Sequence, residues 1–406
     1  MGIFREIPPT AGFPLRAKDL LSILSGKEHR QGLEDDFRRY LNVRYARTAY
    51  SGTAALYLIL ESLKGLSTKK TVIIPSFICP LVPLAIKRAG LRVEVCDIRR
   101  DNFGFDVSML DTLCHASDDI LAIVTVHLAG LPVDFDEIEV IARKYGVFTI
   151  EDCAQSFGAL YKGKQVGTLG DLSFFSLCRG KGMTTYEGGI IVTDKEDYVR
   201  LIESSIDRLI TADYISEAGL LLKLSGYAIF YRPSLFWTVF RLPQLFWNWR
   251  GDKVKAAMED FDLDFPVHRM SDARQRIGHS QFSRVDLEIA KQRRKAHAYI
   301  EAITGIEGLS AMTEAPDCTA TYPYVTLIFD EPGKRGRALQ LLERSGHGGS
   351  FAYALAIADY PYLKDVVPER NCSNARYLSE RTITLSTSTF LRDEDIHSVA
   401  GLLRGL

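Results

Sequence analysis

With 406 residues the chain is long enough for two domains, and 50 Lys+Arg against 51 Asp+Glu leave a net charge of −1, which argues against a nucleic-acid partner held by a strongly basic face. Its seven cysteines carry no Cys-x-x-Cys spacing and no His/Cys cluster, so reduced thiols are expected, and neither a disulfide framework nor a metal site. No apolar run approaches the roughly 20 residues that span a bilayer, and residues 1–9 hold neither a signal-peptide core nor a myristoylation pattern, Glu6 standing where Ser or Thr is required; a cytoplasmic protein is expected.

In chain order, the turn Tyr50-Ser-Gly-Thr53 leads into an apolar helix over 54–63. A strand follows at Thr71–Pro75, a helix over 81–89 and a strand at Arg92–Cys96. Ile120–Val126 is a strongly apolar, β-branched strand, followed by an amphipathic helix over 136–145 and strands at 147–150, 172–177 and Gly189–Thr193. Strands apolar throughout, alternating with helices, predict an α/β fold with a mostly parallel sheet covered on both faces. Helices are predicted over 196–210 and 284–302. Beyond about residue 305 the pattern changes to a smaller α+β unit, with a strand over 322–329, a helix over 333–344 and a strand over 382–385. The expected division is a large domain over 1–270 and a small C-terminal domain over 271–406.

Ligands of such sheets gather at the carboxyl ends of the strands, and three cues lie there. Ser51, Gly52 and Thr53 at a helix start offer free N–H groups and hydroxyls, an anion cradle, although Ser and Thr are equally ordinary helix caps. Asp152 ends a buried strand, where a carboxylate can hold a heteroaromatic nitrogen protonated; an isolated Asp there more often caps the next turn. Ser176 ends another strand, five residues before Lys181, which stands between Gly180 and Gly182 with no acid nearby in sequence. A lysine in a partly desolvated pocket has a lowered pKa and becomes a nucleophile towards carbonyl carbon.

This order of motifs resembles the DegT/DnrJ/EryC1/StrS family of sugar aminotransferases, which are fold-type I pyridoxal-phosphate enzymes. The resemblance covers most of the chain. It runs through Gly32-Leu-Glu-Asp-Asp-Phe37, Ser51-Gly-Thr-Ala-Ala-Leu56, Pro75-Ser-Phe-Ile-Cys-Pro80, Val126-His-Leu-Ala-Gly130 and Asp134-Phe-Asp136. Glu151-Asp-Cys-Ala-Gln155, Gly167-Thr-Leu-Gly-Asp171, the stretch from Ser173 to Lys181, and Tyr186-Glu-Gly-Gly189 continue it. Asn374-Ala-Arg-Tyr-Leu-Ser-Glu380, Thr384-Leu-Ser386 and Leu391-Arg-Asp-Glu-Asp395 close it. The resemblance implies pyridoxal 5′-phosphate as cofactor, held covalently by Lys181, with Asp152 on the ring nitrogen and Gln155 near the ring hydroxyl. It places Ser51, Gly52, Thr53 and Ser176 on the phosphate, and Phe77 or Cys79 against a ring face. Arg269, His268 and Tyr353 are the candidate substrate contacts. A nucleotide-linked keto-sugar as substrate, glutamate as amino donor and a homodimer are expected on the same ground.

Three departures stand out. Pro266-Val-His-Arg-Met270 places Val267 where relatives carry the asparagine that reaches the partner subunit's cofactor phosphate. Ser386-Thr-Ser388 replaces a His-Pro motif in a region that meets substrate, so the sugar is not carried over. Residues 210–262 read as an insertion. It holds Trp237, Trp247 and Trp249, with Pro233 and Pro243 expected to break 219–250 into short helices. The simpler reading of this aromatic stretch is a lid or subunit contact; the other is peripheral membrane contact, with a lipid-linked sugar as substrate. Dehydratases of the family replace the lysine by histidine, so Lys181 argues for amination. A cyclitol aminotransferase or a cofactor-binding scaffold are the remaining alternatives.

Overall fold

Runs of β-branched and aliphatic residues at 71–75, 120–126, 148–152, 172–176 and 189–193 leave almost no side chain in water, so each strand needs cover on both faces. The computed structural model, which describes residues 5–24, 32–251, 255 and 261–406, provides that cover with helices around a seven-stranded sheet. The strands are β1 (Tyr45–Ala49), β2 (Thr71–Pro75), β3 (Arg92–Cys96), β4 (Ile120–Val126), β5 (Phe148–Asp152), β8 (Leu172–Ser176) and β9 (Gly189–Thr193), in the order β1-β9-β8-β5-β4-β2-β3. The pairs β3/β2, β2/β4, β4/β5 and β5/β8 are parallel, and β9 runs antiparallel to both its neighbours. Register sets Val126 beside Asp152 and Asp152 beside Phe174, so three carboxyl ends meet at one edge.

The predicted strands at 71–75, 92–96, 120–126 and 189–193 have the observed bounds, while the strand expected at 147–150 runs on to Asp152. β1, Tyr-Ala-Arg-Thr-Ala, had no apolar run to announce it; it pairs through backbone bonds with β9.

The later part of the chain forms a three-stranded antiparallel sheet of β10 (Leu309–Ala311), β12 (Tyr324–Phe329) and β13 (Thr382–Ser386), covered by the helices Val285–Ile303, Pro332–Ser345 and Ser373–Arg381, with Asp393–Arg404 packed on the first two helices. A third sheet, of β11 (Cys318–Thr319), β6 (Leu160–Tyr161) and β7 (Lys164–Gln165), ties the two parts together. The helix Asp272–Phe282 packs on Ala17–Leu21 and Gly32–Leu41. Residues 5–13 cross between the parts. Ile7 N–H donates to Gly346 O at 3.0 Å, Ala11 N–H to Pro323 O at 2.8 Å and Phe13 N–H to Gly182 O at 2.7 Å.

The expected insertion is helical over Tyr214–Phe230 and 233–249, with 252–254 and 256–260 lying outside the described residues. Pro233 opens a new helix after Tyr214–Phe230, as its missing N–H dictates. Pro243 does not break the chain as expected. A π-helical turn at Trp237–Arg241 precedes it, with Leu242 N–H reaching back to Trp237 O, and Leu242–Trp249 continues as α-helix. Shifting the ladder by one residue at the π-turn accommodates a residue that donates nothing. Among the described residues no helix is long and apolar enough to cross a membrane.

Candidate active site

One cavity of about 360 Å3 opens at the carboxyl edge of β5 and β8. It gathers Ser51, Gly52, Thr53, Cys79, Asp152, Gln155, Ser176, Lys181 and Tyr353, residues that lie far apart in the chain.

Ser51 is the N-cap of the helix Gly52–Leu63, its extended backbone turning the hydroxyl to accept Ala54 N–H at 3.1 Å. The hydroxyl is therefore engaged in capping, and the first-turn N–H groups of Gly52 and Thr53 remain as anion donors. Gly52 lies against β8: a Cβ there would stand 3.1 Å from Ser176 Cβ and 3.3 Å from its Oγ. Helix start and strand end thus share a cradle that a side chain at position 52 would fill.

Asp152 is buried, and its Oδ1 accepts Ala154 N–H at 3.0 Å. Burial pushes its pKa up, against the opposing pull of Lys181, the Ala154 N–H and His127. A buried carboxylate held in this way favours a cationic N–H partner. The neighbouring acid is structural: Glu151 accepts N–H groups of Gly167, Leu169 and Gly170 at 2.7–2.8 Å, and His127 Nε2 lies 3.3 Å from it. His127, Glu151 and Cys153 form the one close-set group of metal-type ligands among the described residues. Their lone pairs are committed, since His127 Nδ1 accepts Val133 N–H at 3.2 Å and burial pushes the Cys153 thiol up.

Gln155 Oε1 accepts both Ala129 N–H at 3.0 Å and the Tyr324 hydroxyl at 2.6 Å, which leaves its NH2 to meet a ligand. Lys181 is presented by a tight turn in which its N–H donates to Cys178 O at 3.2 Å, and Gly180 and Gly182 adopt φ of +80° and +57°. Among the described residues its ammonium forms no ion pair.

Phe77, Arg269 and His268 lie elsewhere. Phe77 is fully buried beneath the cavity, stacked on Phe103 at 5.7 Å and meeting the edge of Tyr353 at 5.3 Å. Position 79, two residues on, faces the cavity instead. His268 packs on Tyr50, with Nε2 3.1 Å from Ser216 Oγ. Arg269 lines a neighbouring cavity of about 730 Å3 with Glu34, Arg47 and Asp213. Two charged cavity residues escaped sequence reasoning, Arg179 and Glu187, which face each other at 3.8 Å. Both lie inside recognised motifs. Tyr324 gave no signal, because its hydroxyl arrives from the other sheet.

The sequence profile of the DegT/DnrJ/EryC1/StrS aminotransferase family matches residues 18–208 and 266–404, and the unmatched gap falls on the expected insertion. The GDP-perosamine synthase of Escherichia coli O157:H7 is 40% identical over 173 residues, which cover 42% of this chain and 47% of that protein. The UDP-4-amino-4,6-dideoxy-N-acetyl-beta-L-altrosamine transaminase of Campylobacter jejuni subsp. jejuni serotype O:2 (strain ATCC 700819 / NCTC 11168) is 34% identical over 181 residues, 45% of this chain and 48% of that one. The chain thus spans about half the length of these two curated relatives. The crystal structure of DesI in the presence of its TDP-sugar product superposes with a TM-score of 0.76 at 21% identity, over 99% of this chain and 92% of that one, and shares the fold. The chain belongs to the DegT/DnrJ/EryC1/StrS aminotransferase family.

Proposed function

We propose that the protein is a pyridoxal 5′-phosphate-dependent aminotransferase that converts a nucleotide-linked keto-sugar into an amino sugar, with glutamate as donor. The observation that carries this is the meeting, in one cavity, of Lys181, which forms no ion pair among the described residues, with a buried Asp152 that feels its charge, beside the cradle between Gly52 and Ser176. The names of the relatives, a perosamine synthase and an altrosamine transaminase, support the substrate class.

The residues fit the cofactor. Its anionic phosphate matches the Gly52–Ser176 cradle, and its ring nitrogen matches a carboxylate whose burial calls for an N–H partner. Bound there, pyridoxal phosphate would supply an electron sink for the carbon that carries the amino group. Gly52 N–H, Thr53 N–H and the Ser176 hydroxyl bind the phosphate. Asp152 holds the proton on the ring nitrogen, and Gln155 donates towards the ring hydroxyl. Cys79 and Tyr353 bound the space beside the ring. Lys181 Nζ would hold the cofactor and would serve as the base that moves the proton at the carbon being aminated.

The working unit in this reading is a two-fold dimer, with the exposed Arg269 directed to the partner's site, His268 held inside its own subunit by Tyr50 and Ser216, and Val267 making no phosphate contact. The chain divides into large and small domains near 271, with the helix Asp272–Phe282 docked on the large one. Residues 219–250 rest on a membrane surface, as their exposed apolar and basic side chains suggest. The test is a coupled assay with glutamate and a panel of nucleotide-linked 3-keto and 4-keto sugars. Turnover of one member is expected, and no turnover across the panel with the PLP-loaded protein would overturn the substrate class.

A further inference from the structure

A second cavity, also of about 360 Å3, lies between the insertion and the outer side of the lysine turn. Tyr227, Phe230, Phe236, Val239 and Phe240 give it apolar walls, and Lys223 stands at its rim. Gly180 forms part of the same wall, and Arg179 lines both this cavity and the one that holds Lys181.

Several independent features show what the space is shaped to hold. Gly226 lines it from the middle of the helix Tyr214–Phe230, where glycine is disfavoured relative to alanine. No turn or close approach explains this glycine, since a Cβ added there would meet nothing within 4 Å. What it preserves is room. Tyr227 is buried with its ring stacked on Tyr231 at 4.4 Å and its hydroxyl turned towards Tyr231 and the Gly180 backbone, so that its ring and not its hydroxyl forms the wall. The apolar wall continues outward onto an exposed face that includes Leu222 at 75%, Val239 at 45% and Trp249 at 80% exposure.

The rim is cationic. Between Glu217 and residue 250 the sequence contains no acid, and Lys223, Arg232 and Arg250 are exposed. Arg241 alone is buried, 3.7 Å from Glu6 and 3.4 Å from Glu343. A two-fold contact of this segment with its own copy would set its cations against cations.

We propose that this cavity binds the hydrocarbon chain of an amphiphile whose phosphate rests at Lys223. The ligand class is a phosphate ester of a long hydrocarbon, supplied either by a bilayer phospholipid or by a soluble prenyl-phosphate-linked ligand. The site goes beyond the amination chemistry and is read out without it.

The test is calorimetric titration of the PLP-loaded dimer, or of whichever assembly forms, with farnesyl phosphate, using farnesol and inorganic phosphate as controls. Farnesyl phosphate is expected to bind and to raise the melting temperature, with inorganic phosphate failing to displace it. Gly226→Leu puts a side chain into the open space and should weaken binding by about tenfold or more. Gly219→Leu, on the same helix, also meets nothing within 4 Å and lies off the cavity, so it should bind as wild type. Lys223→Ser should weaken farnesyl phosphate and leave farnesol unchanged. Displacement of the probe by phosphatidylglycerol vesicles assigns the site to bilayer lipid, and retention in their presence assigns it to a soluble prenyl phosphate. Absence of farnesyl phosphate binding, or equal binding by both glycine variants, would overturn the proposal. Loss of amination with binding intact would count against the proposed function alone.

Discussion

Gly52 and Ser176 occupy one space: a Cβ added at position 52 would stand 3.1 Å from Ser176 Cβ, tighter than side chains ordinarily pack. Gly52→Ala should therefore fold, since alanine favours the helix it opens, while pushing Ser176 out of the cradle. PLP affinity measured by fluorescence titration should fall about tenfold or more, a loss of about 1.4 kcal/mol. Unchanged affinity would mean that the phosphate sits elsewhere.

Borohydride reduction of the PLP-loaded protein should fix the cofactor on the Lys181 peptide, and Lys181→Ala should abolish both the adduct and amination. The informative competitor is Lys295. Burial pulls its pKa down to about 8, yet its ammonium donates to Ser388 O at 2.6 Å and it does not line the cavity. Peptide mapping that finds the label on Lys295 would overturn the assignment of Lys181.

Asp152→Asn separates two effects of one buried carboxylate. In the cofactor-free protein burial raises the native pKa above the unfolded value. The native state therefore keeps a proton that the unfolded chain releases, and stability falls as pH rises between those two values. The amide escapes this penalty, so cofactor-free Asp152→Asn should melt higher than wild type at neutral pH. With cofactor it should lose most amination, because an amide cannot keep the ring nitrogen protonated. Differential scanning calorimetry and the glutamate half-reaction check the two halves, and a half-reaction at wild-type rate would give Asp152 another role.

Glu6 offers a pH dependence away from the site. Burial, with Glu343 adding to it, raises its pKa from 4.5 to about 7 against the lowering pull of Arg241. Its contribution is complete below the unfolded value and is lost as pH rises through about 7. The swing is up to about 3 kcal/mol at 1.36 kcal/mol per pKa unit. Glu6→Gln should flatten the stability curve between pH 5 and 8, followed by urea unfolding; an unchanged slope would place the titration on another group.

The parallel strands were legible because strands buried on both faces must be apolar along their whole length, as Ile120–Val126 is. The cavity residues were legible because Lys181, Asp152 and Ser176 stand at strand ends with glycines around them. Phe77 was misread because a motif gives sequence spacing and not direction, and its ring turns down onto Phe103. β1 escaped because β9 supplies its hydrogen-bond partners and its own side chains carry no pattern. Pro243 misled because a π-turn one residue upstream is invisible in composition.

The crossing of residues 5–13 has a consequence for how the protein is made. Arg5 bonds Asp395 across 390 positions, and the same short segment reaches Gly346 and then the Gly182 carbonyl beside Lys181. On a ribosome this segment emerges well before Gly346 and Asp395, the partners that it bonds. The bond from Phe13 to Gly182 joins residues that are both made early, whereas those from Ile7 to Gly346 and from Arg5 to Asp395 close only once the small sheet has formed. The segment beside the lysine turn is thus fully anchored only when both sheets are in place, which makes its docking a late event of folding.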